Sequence, residues 1–235
     1  MIAARLLLSA CAMLMICSCD SQREQAPQDT PPPAAAADVP LLPVRPGDRW
    51  VYQVLLEIPP GVSSPGAAEV RTRYERTRSY LGKAAAAAGL PAVDCFEVRV
   101  PGSPAEREFV EIHDDRILLR GSLILRPETT QPLWFAQPVP FVIAGLKAGD
   151  TLPGVKAGDG QINRQTKVIA REDVTVPAGT FHCIRLLTTG NDGELDLRRT
   201  LWFAPGHGII REEKTRYRRE QLLYRETHEL SALER

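Results

Sequence analysis

Beyond residue 44 the chain alternates apolar with polar residues at period two and favours β-branched and aromatic side chains. The runs RWVYQVLLEI (from Arg49), AEVRTRYERTRSYL (to Leu81), DCFEVRV (from Asp94) and REFVEIH (to His113) fill its first half. RILLRGSLIL (from Arg116), RQTKVIARE (from Arg164), TFHCIRLLTT (from Thr180) and LRRTLWFA (to Ala204) continue the pattern. Short clusters of Gly, Pro, Asn and Asp separate them, which predicts antiparallel strands joined by tight turns. Asn191 to Gly193 and His113 to Arg116 each sit between two runs as hairpin signals. The final stretch from Arg216 carries a leucine stripe (Leu222, Leu223, Leu230, Leu233), but its local alternation favours a closing strand against Gly208 to Arg216. The alanine run from Lys83 to Gly89 is too short for a helix and reads as a loop insertion.

The two halves repeat. Leu42–Trp50 aligns with Ala144–Leu152, Tyr74–Gly82 with Gln165–Asp173, and Gly89–Val100 with the stretch TVPAGTFHCIRLL ending at Leu187. Val110–Gly121 aligns with Leu201–Glu212, and the order is the same in both halves. The expectation is an all-β, antiparallel, strongly curved sheet or incomplete barrel, built from a degenerate two-fold strand repeat with halves at about 42–122 and 143–230.

The first 22 residues are of another kind. One charge at Arg5, an apolar run from Leu6 to Ile16 and small residues before a cysteine make a secretory signal. The run is shorter than the roughly 20 residues a membrane-spanning helix needs. Ile16 to Cys19 reads as a lipobox, so residues 1–18 are the expected signal peptide and Cys19 the acylated new N-terminus. An earlier match ending at Cys11 leaves too little apolar run before the cut. Residues 19–44, rich in Pro, Ala and Gln, cannot bury enough surface to offset their ordering entropy and form a tether. The domain is expected at 45–235. Asp20 after the acylated cysteine resembles the inner-membrane retention signal of enterobacterial lipoproteins, which places the domain facing the periplasm.

Charge changes the picture by exclusion. Loss of residues 1–18 leaves 28 basic against 29 acidic side chains. That balance supplies no basic field for nucleic acid.

The motifs VPAGTFHC (Val176–Cys183) and LWFAPGHGIIREE (Leu201–Glu213), with the start GDRW (Gly47–Trp50), resemble a signature of uncharacterised bacterial envelope lipoproteins and periplasmic β-domains. The likeness spans about residues 42–230. Its members are in turn similar to the half-barrels of lipoprotein carriers, which implies a concave apolar side able to hold acyl chains.

Site chemistry is sparse. His113, His182, His207 and His228 lack the helical or Cys-x-x-Cys partners of a zinc site. No nucleophile elbow, P-loop or dinucleotide fingerprint occurs. No catalytic residue, metal or cofactor is assigned, and a non-enzymatic role is expected. His113, Asp115 and His207 would be the first suspects for an enzyme assembled from dispersed residues, and a purely structural module is the third reading. Expected partners are the membrane, through the lipid, and an apolar ligand or an envelope protein. Cys95 and Cys183 survive processing, occupy matching places in the aligned halves and fall on the more polar strand face. In an oxidising compartment they are candidates for a disulfide closing about 88 residues of chain, worth roughly 4–5 kcal/mol in the chain-entropy model. Strands set too far apart would leave both thiols free.

Overall fold

The computed structural model describes residues 40–126, 131–157 and 162–235. Their strands are β1 (Arg49–Ile58), β2 (Val70–Ala85), β3 (Ala92–Arg99), β4 (Glu106–Ile112), β5 (Arg116–Ile124) and β6 (Leu133–Ile143) in the first half. The second half holds β7 (Thr151–Ala157), β8 (Ile162–Val176), β9 (Gly179–Asp192), β10 (Leu195–Ala204), β11 (Gly208–Arg218) and β12 (Gln221–Glu234). All lie in one sheet ordered β6-β5-β4-β3-β2-β1-β12-β11-β10-β9-β8-β7. Each half is an up-and-down meander. The first strand pairs antiparallel with the last, Arg49 opposite Glu234, and the sheet edges fall at mid-chain on β6 and β7.

The sheet is strongly curved. Eight steps along the strand order separate β6 from β10, yet the Arg199 guanidinium lies 5.4 Å from the Phe141 ring centroid. The barrel stays incomplete at β6 and β7, and both strands carry proline: Pro138 and Pro140 in one, Pro153 in the other. Proline has no N–H to give a ladder, so it is confined to sheet edges and protects them from further pairing. On the neighbouring strand, Gly121 lets β5 approach β6. A Cβ there would meet the Leu133 carbonyl oxygen at 2.1 Å.

One end of the curled sheet is closed by a large apolar core. Trp50, Tyr52, Phe96, Phe203 and Leu230 are buried in it. The Trp50 and Phe96 rings meet edge to face at 5.8 Å. Trp50 Nε1 donates to the His207 carbonyl at 2.6 Å and Tyr52 Oη to the Ile209 carbonyl at 3.1 Å, so the polar tips of these rings are satisfied. Leu41 and Leu42, each 3% exposed, belong to this core. The Leu41 N–H donates to the Asp114 carbonyl and its carbonyl accepts from Gly206, stitching the β4–β5 turn to the β10–β11 turn. The folded domain therefore begins ahead of residue 45, because two leucines at the end of the proline-rich segment have apolar surface to cover.

The repeat is visible in backbone hydrogen bonds. Asp48 Oδ2 accepts from Arg45 N at 2.9 Å, and Asp150 Oδ2 from Lys147 N at 2.8 Å. Gly47 N donates to the Tyr80 carbonyl and Tyr80 N to the Asp48 carbonyl; Gly149 and Asp150 make the same two bonds with Val168. Tyr80 is thus the counterpart of Val168, where the sequence alignment had paired it with Arg171. Both halves then break register at matching places, Tyr80/Gly82 with Val168/Ala170 and Phe109/Val110 with Trp202/Phe203. The ladders carry the equivalence onward. Phe96 faces Tyr80 and Leu186 faces Val168, which matches Phe96 with Leu186.

That frame corrects the cysteines. Cys95 matches Arg185, and Cys183 matches Val93, two residues out of step. The mismatch arises in the turn: residues 85–92 lie between the paired Ala84 and Val93, whereas the longer stretch 173–182 lies between the matching pair Glu172 and Cys183, which puts Cys183 at the place of Val93. Both thiols are free and both are buried, not set on a polar surface. Cys95 lies with Val93, Ala86 and Phe109 in a small cluster on the outer face, while Cys183 lies in the main core. The two are not joined. The alanine run differs too: Lys83 to Ala85 continue β2, paired with β3 from Ala92 to Asp94. Ladder formation overrides the low strand propensity of alanine.

The expected turn at His113–Arg116 joins β4 to β5, and the hairpin expected at Asn191–Gly193 joins β9 to β10 with its turn at Gly193 and Glu194, since Asn191 and Asp192 still pair in the ladder. The closing strand is β12, which pairs with both β11 and β1.

Candidate functional site

The curled sheet encloses a cavity of about 420 Å³ above the apolar core. Its walls differ. Ile117 and Leu119 of β5 and Leu133, Phe135 and Phe141 of β6 form an apolar side. Arg76 and Arg78 of β2, Arg199 of β10, and Glu212, Lys214 and Arg216 of β11 form a charged one. Leu42, Phe96, Phe203 and Ile209 line the end nearest the core. A smaller cavity of about 100 Å³, lined in part by Pro140 and Pro153 from the two sheet edges, shares Phe135, Phe141, Arg164 and Arg199 with the first.

Ladder register explains the charged side. Leu201 faces Glu212, Glu212 faces His228 and His228 faces Val54, so one inward row runs across four strands. The next row sets Arg199 opposite Lys214 and Lys214 opposite Glu226. Glu212, 1% exposed, is the hub. Arg199 Nε donates to it; Lys214 Nζ is 3.2 Å away and Arg76 Nη1 3.5 Å. Burial alone would push its carboxyl up, but Arg199, Lys214 and Arg76, joined by His228 when that ring is protonated, hold it well below the usual carboxylate range. Glu108 is also depressed, since Arg78 and Arg76 outweigh its burial. Arg78 Nε donates to it at 2.9 Å.

Burial lowers His228, partly opposed by Glu226. Its Nδ1 lies 3.2 Å from Arg76 Nη1, and a guanidinium only donates, so Nδ1 accepts. The proton is then on Nε2, which donates to Glu226 at 3.3 Å. Tyr74 Oη donates to the same carboxylate at 3.0 Å, and burial beside Glu226 pushes the Tyr74 hydroxyl up to about 12. These groups are committed to one another. The arrangement can hold charge out of water and present cations to a bound molecule.

The suspects read from sequence do not converge here. His113 and Asp115 are exposed on the β4–β5 turn, where His113 lies 3.6 Å from Glu111 and Asp115 3.9 Å from Arg116. His207 is in the β10–β11 turn with its ring 5.1 Å from Phe181. His182 pairs with Asp173 at 2.9 Å on the exposed surface. Cys19 and Asp20 lie outside the described residues. Among the described residues no group of three or more His, Cys, Asp or Glu is placed to hold a metal.

Sequence reading missed the charged cluster because it took inward positions to be apolar. The signal was present as parity: Arg76 and Arg78 share a face with Tyr74 and Tyr80, and Arg199 shares one with Leu197 and Leu201. Charges on the buried parity of a strand mark an interior with polar content.

No known family model matches the chain, and no curated protein matches it. Two solved structures are similar in fold. A protein from Bacteroides fragilis NCTC 9343, described as exported and of YmcC-like fold, aligns with a TM-score of 0.49 at 13% identity. That alignment covers 84% of this chain and 100% of the other. A protein from Parabacteroides distasonis ATCC 8503, described as a lipoprotein, aligns with a TM-score of 0.45 at 13% identity, over 83% of this chain and 99% of the other.

Proposed function

We propose that the protein is a lipid-anchored envelope lipoprotein, facing the periplasm, whose curled sheet binds an apolar or part-apolar ligand without chemical conversion. The observation that carries this reading is the internal cavity of about 420 Å³. Small-molecule sites typically occupy roughly 300–1,000 Å³ and combine an apolar lining with a few convergent polar groups. A sheet evolved only as a scaffold would fill that space with side chains, as small barrels do. The non-enzymatic part rests on the pairing of Glu212 with Arg199 and of His228 with Glu226. The anchor rests on the signal, lipobox and tether of residues 1–44.

Native mass spectrometry with lipid extraction, on protein taken from membranes, tests the binding role. A co-purifying lipid that is lost in Phe141→Arg supports it, and wild-type protein that is empty in repeated preparations counts against it. The anchor is tested separately. Cys19→Ala should abolish incorporation of labelled palmitate, and continued labelling would refute acylation at that residue.

A further inference from the structure

The reading of the cavity as a ligand site leaves open how a ligand reaches it. We propose that the ligand's apolar chain enters and leaves sideways, through the unpaired seam between the edge strands β6 and β7. This inference rests on the proposed function above and specifies how the same site is reached.

Three observations carry it. The first is the state of the walls. Neighbouring strands of the described sheet are joined by ladders, whereas β6 and β7 stand at its two ends. Parting the wall elsewhere breaks backbone hydrogen bonds, and the seam can widen without that loss. Pro138 and Pro140 on one edge and Pro153 on the other have no N–H to give, so a ladder across the seam is disfavoured. The core end is blocked: Trp50 and Phe203 fill it, and Leu41 bonds across it to Asp114 and Gly206.

The second is continuity. Pro140 and Pro153 line the same cavity of about 100 Å³, and Leu119, Leu133, Phe135 and Phe141 line both that cavity and the main one of about 420 Å³. Apolar surface therefore runs from the seam into the interior. Leu133 carries it to solvent: at 52% it is the most exposed large hydrophobic side chain among the described residues. An alkyl chain passing along this path keeps apolar contact from the edge of the sheet inward, which lowers the cost of transfer.

The third is the contrast with the open end of the sheet. A route there would pass beside the β1–β2 connection, where Leu56, Ile58, Val62 and Leu223 line a pocket of about 450 Å³. That pocket meets the main cavity at Tyr224 and Glu226. Glu226 is a carboxylate held by Tyr74 and His228, and a methylene chain sliding past it would displace water from a charge and give nothing in return. The seam route also passes charge, at Arg164 and Arg199, but four apolar side chains accompany them.

Stopped-flow binding of parinaryl alcohol, an uncharged linear polyene that brightens on leaving water, tests the proposal on the mature chain, carried as Cys19→Ala so that no attached acyl group competes. In one variant Pro140→Cys and Pro153→Cys are bridged across the seam by a bis-methanethiosulfonate. In another, Ser63→Cys and Arg218→Cys are bridged across the open end. The seam bridge should slow association and dissociation together by at least about tenfold, the factor of one or two ladder hydrogen bonds broken on any other way in, and leave the dissociation constant unchanged. Reductant cuts the bridge and should restore both rates. The open-end bridge should leave them nearly unchanged. No slowing by the seam bridge, or equal or greater slowing by the open-end bridge, would overturn the seam route and leave the cavity standing. A seam bridge that weakens binding without slowing exchange would also overturn it. Absence of dodecanol-displaceable binding to the unbridged protein would overturn the cavity reading, and the seam route with it.

Discussion

The two halves share a backbone frame and differ in what they place inside it. Carried along the ladders, the equivalence matches Arg76 with Arg164, a position where the charge is kept. It matches Glu106 with Arg199, where the sign reverses, and Ser122 with Glu212 and Glu108 with Leu201, where charge is present in one half only. The first half contributes carboxylates on β4; the second answers with a cation on β10 and a buried carboxylate on β11. The turns diverge in the same manner. Asp48 is buried, whereas Asp150 makes the same hydrogen bond in the open. A duplicated frame fixes where side chains point, and divergence at matching inward positions turns two similar halves into one asymmetric interior.

The largest expected difference between matching positions is at Ser122 and Glu212. Removing one member of a buried ion cluster strands the others, so Glu212→Gln should destabilise by about 3–5 kcal/mol. Ser122→Ala removes one hydrogen bond to Glu106 and should cost about 1 kcal/mol. Urea unfolding followed by tryptophan fluorescence measures both, and equal losses would erase the asymmetry.

A smaller contrast is expected at the turns. Asp48→Ala should cost about 1–3 kcal/mol because Arg45 N then loses its acceptor beside the core. Asp150→Ala should cost about 0.5 kcal/mol, since water replaces the carboxylate at an exposed turn. Reversal of that order in thermal melts would contradict the burial of Asp48.

Acid should weaken the second half's interior in two stages. His228 has a lowered pKa in the folded protein, so the unfolded chain takes up a proton first as pH falls below about 6.5, and stability declines from there. Glu212 is depressed, so its contribution is complete above the unfolded value of about 4.3 and is lost as pH falls through its lower folded value. His228→Gln should flatten the first stage and leave the second. A midpoint of unfolding independent of pH from 7 to 5 in the wild type would contradict the burial of His228.

The smallest effect concerns the mismatched cysteines. Denatured, unreduced protein should titrate two thiols. In the native protein both should react slowly with a disulfide reagent, because burial pushes Cys95 up and, with Asp173 and Glu172, pushes Cys183 up to about 12. No free thiol after denaturation would mean that the two strands approach each other, against the described sheet order.

The curved antiparallel sheet, its turns at His113 and Asn191, its closing strand and its duplication were legible because period two and turn chemistry are local signals. The register of the duplication was not. The connections between matching strands differ in length, as between Ala84–Val93 and Glu172–Cys183, and a change of loop length slides a strand past its match without altering the strand's own pattern. The candidate site was legible only in part. An apolar concave side was expected and is present on β5 and β6, but the opposite side is charged through residues more than 100 positions apart, such as Arg76 and Glu212. Their proximity follows from the joining of β1 to β12, a long-range pairing that no local pattern specifies.

The most direct test of the account is a crystal structure of the mature domain grown with dodecanol. The account predicts one alkyl chain inside the curled sheet, along Ile117, Leu119, Phe135 and Phe141. A chain bound only on the outer face would contradict it.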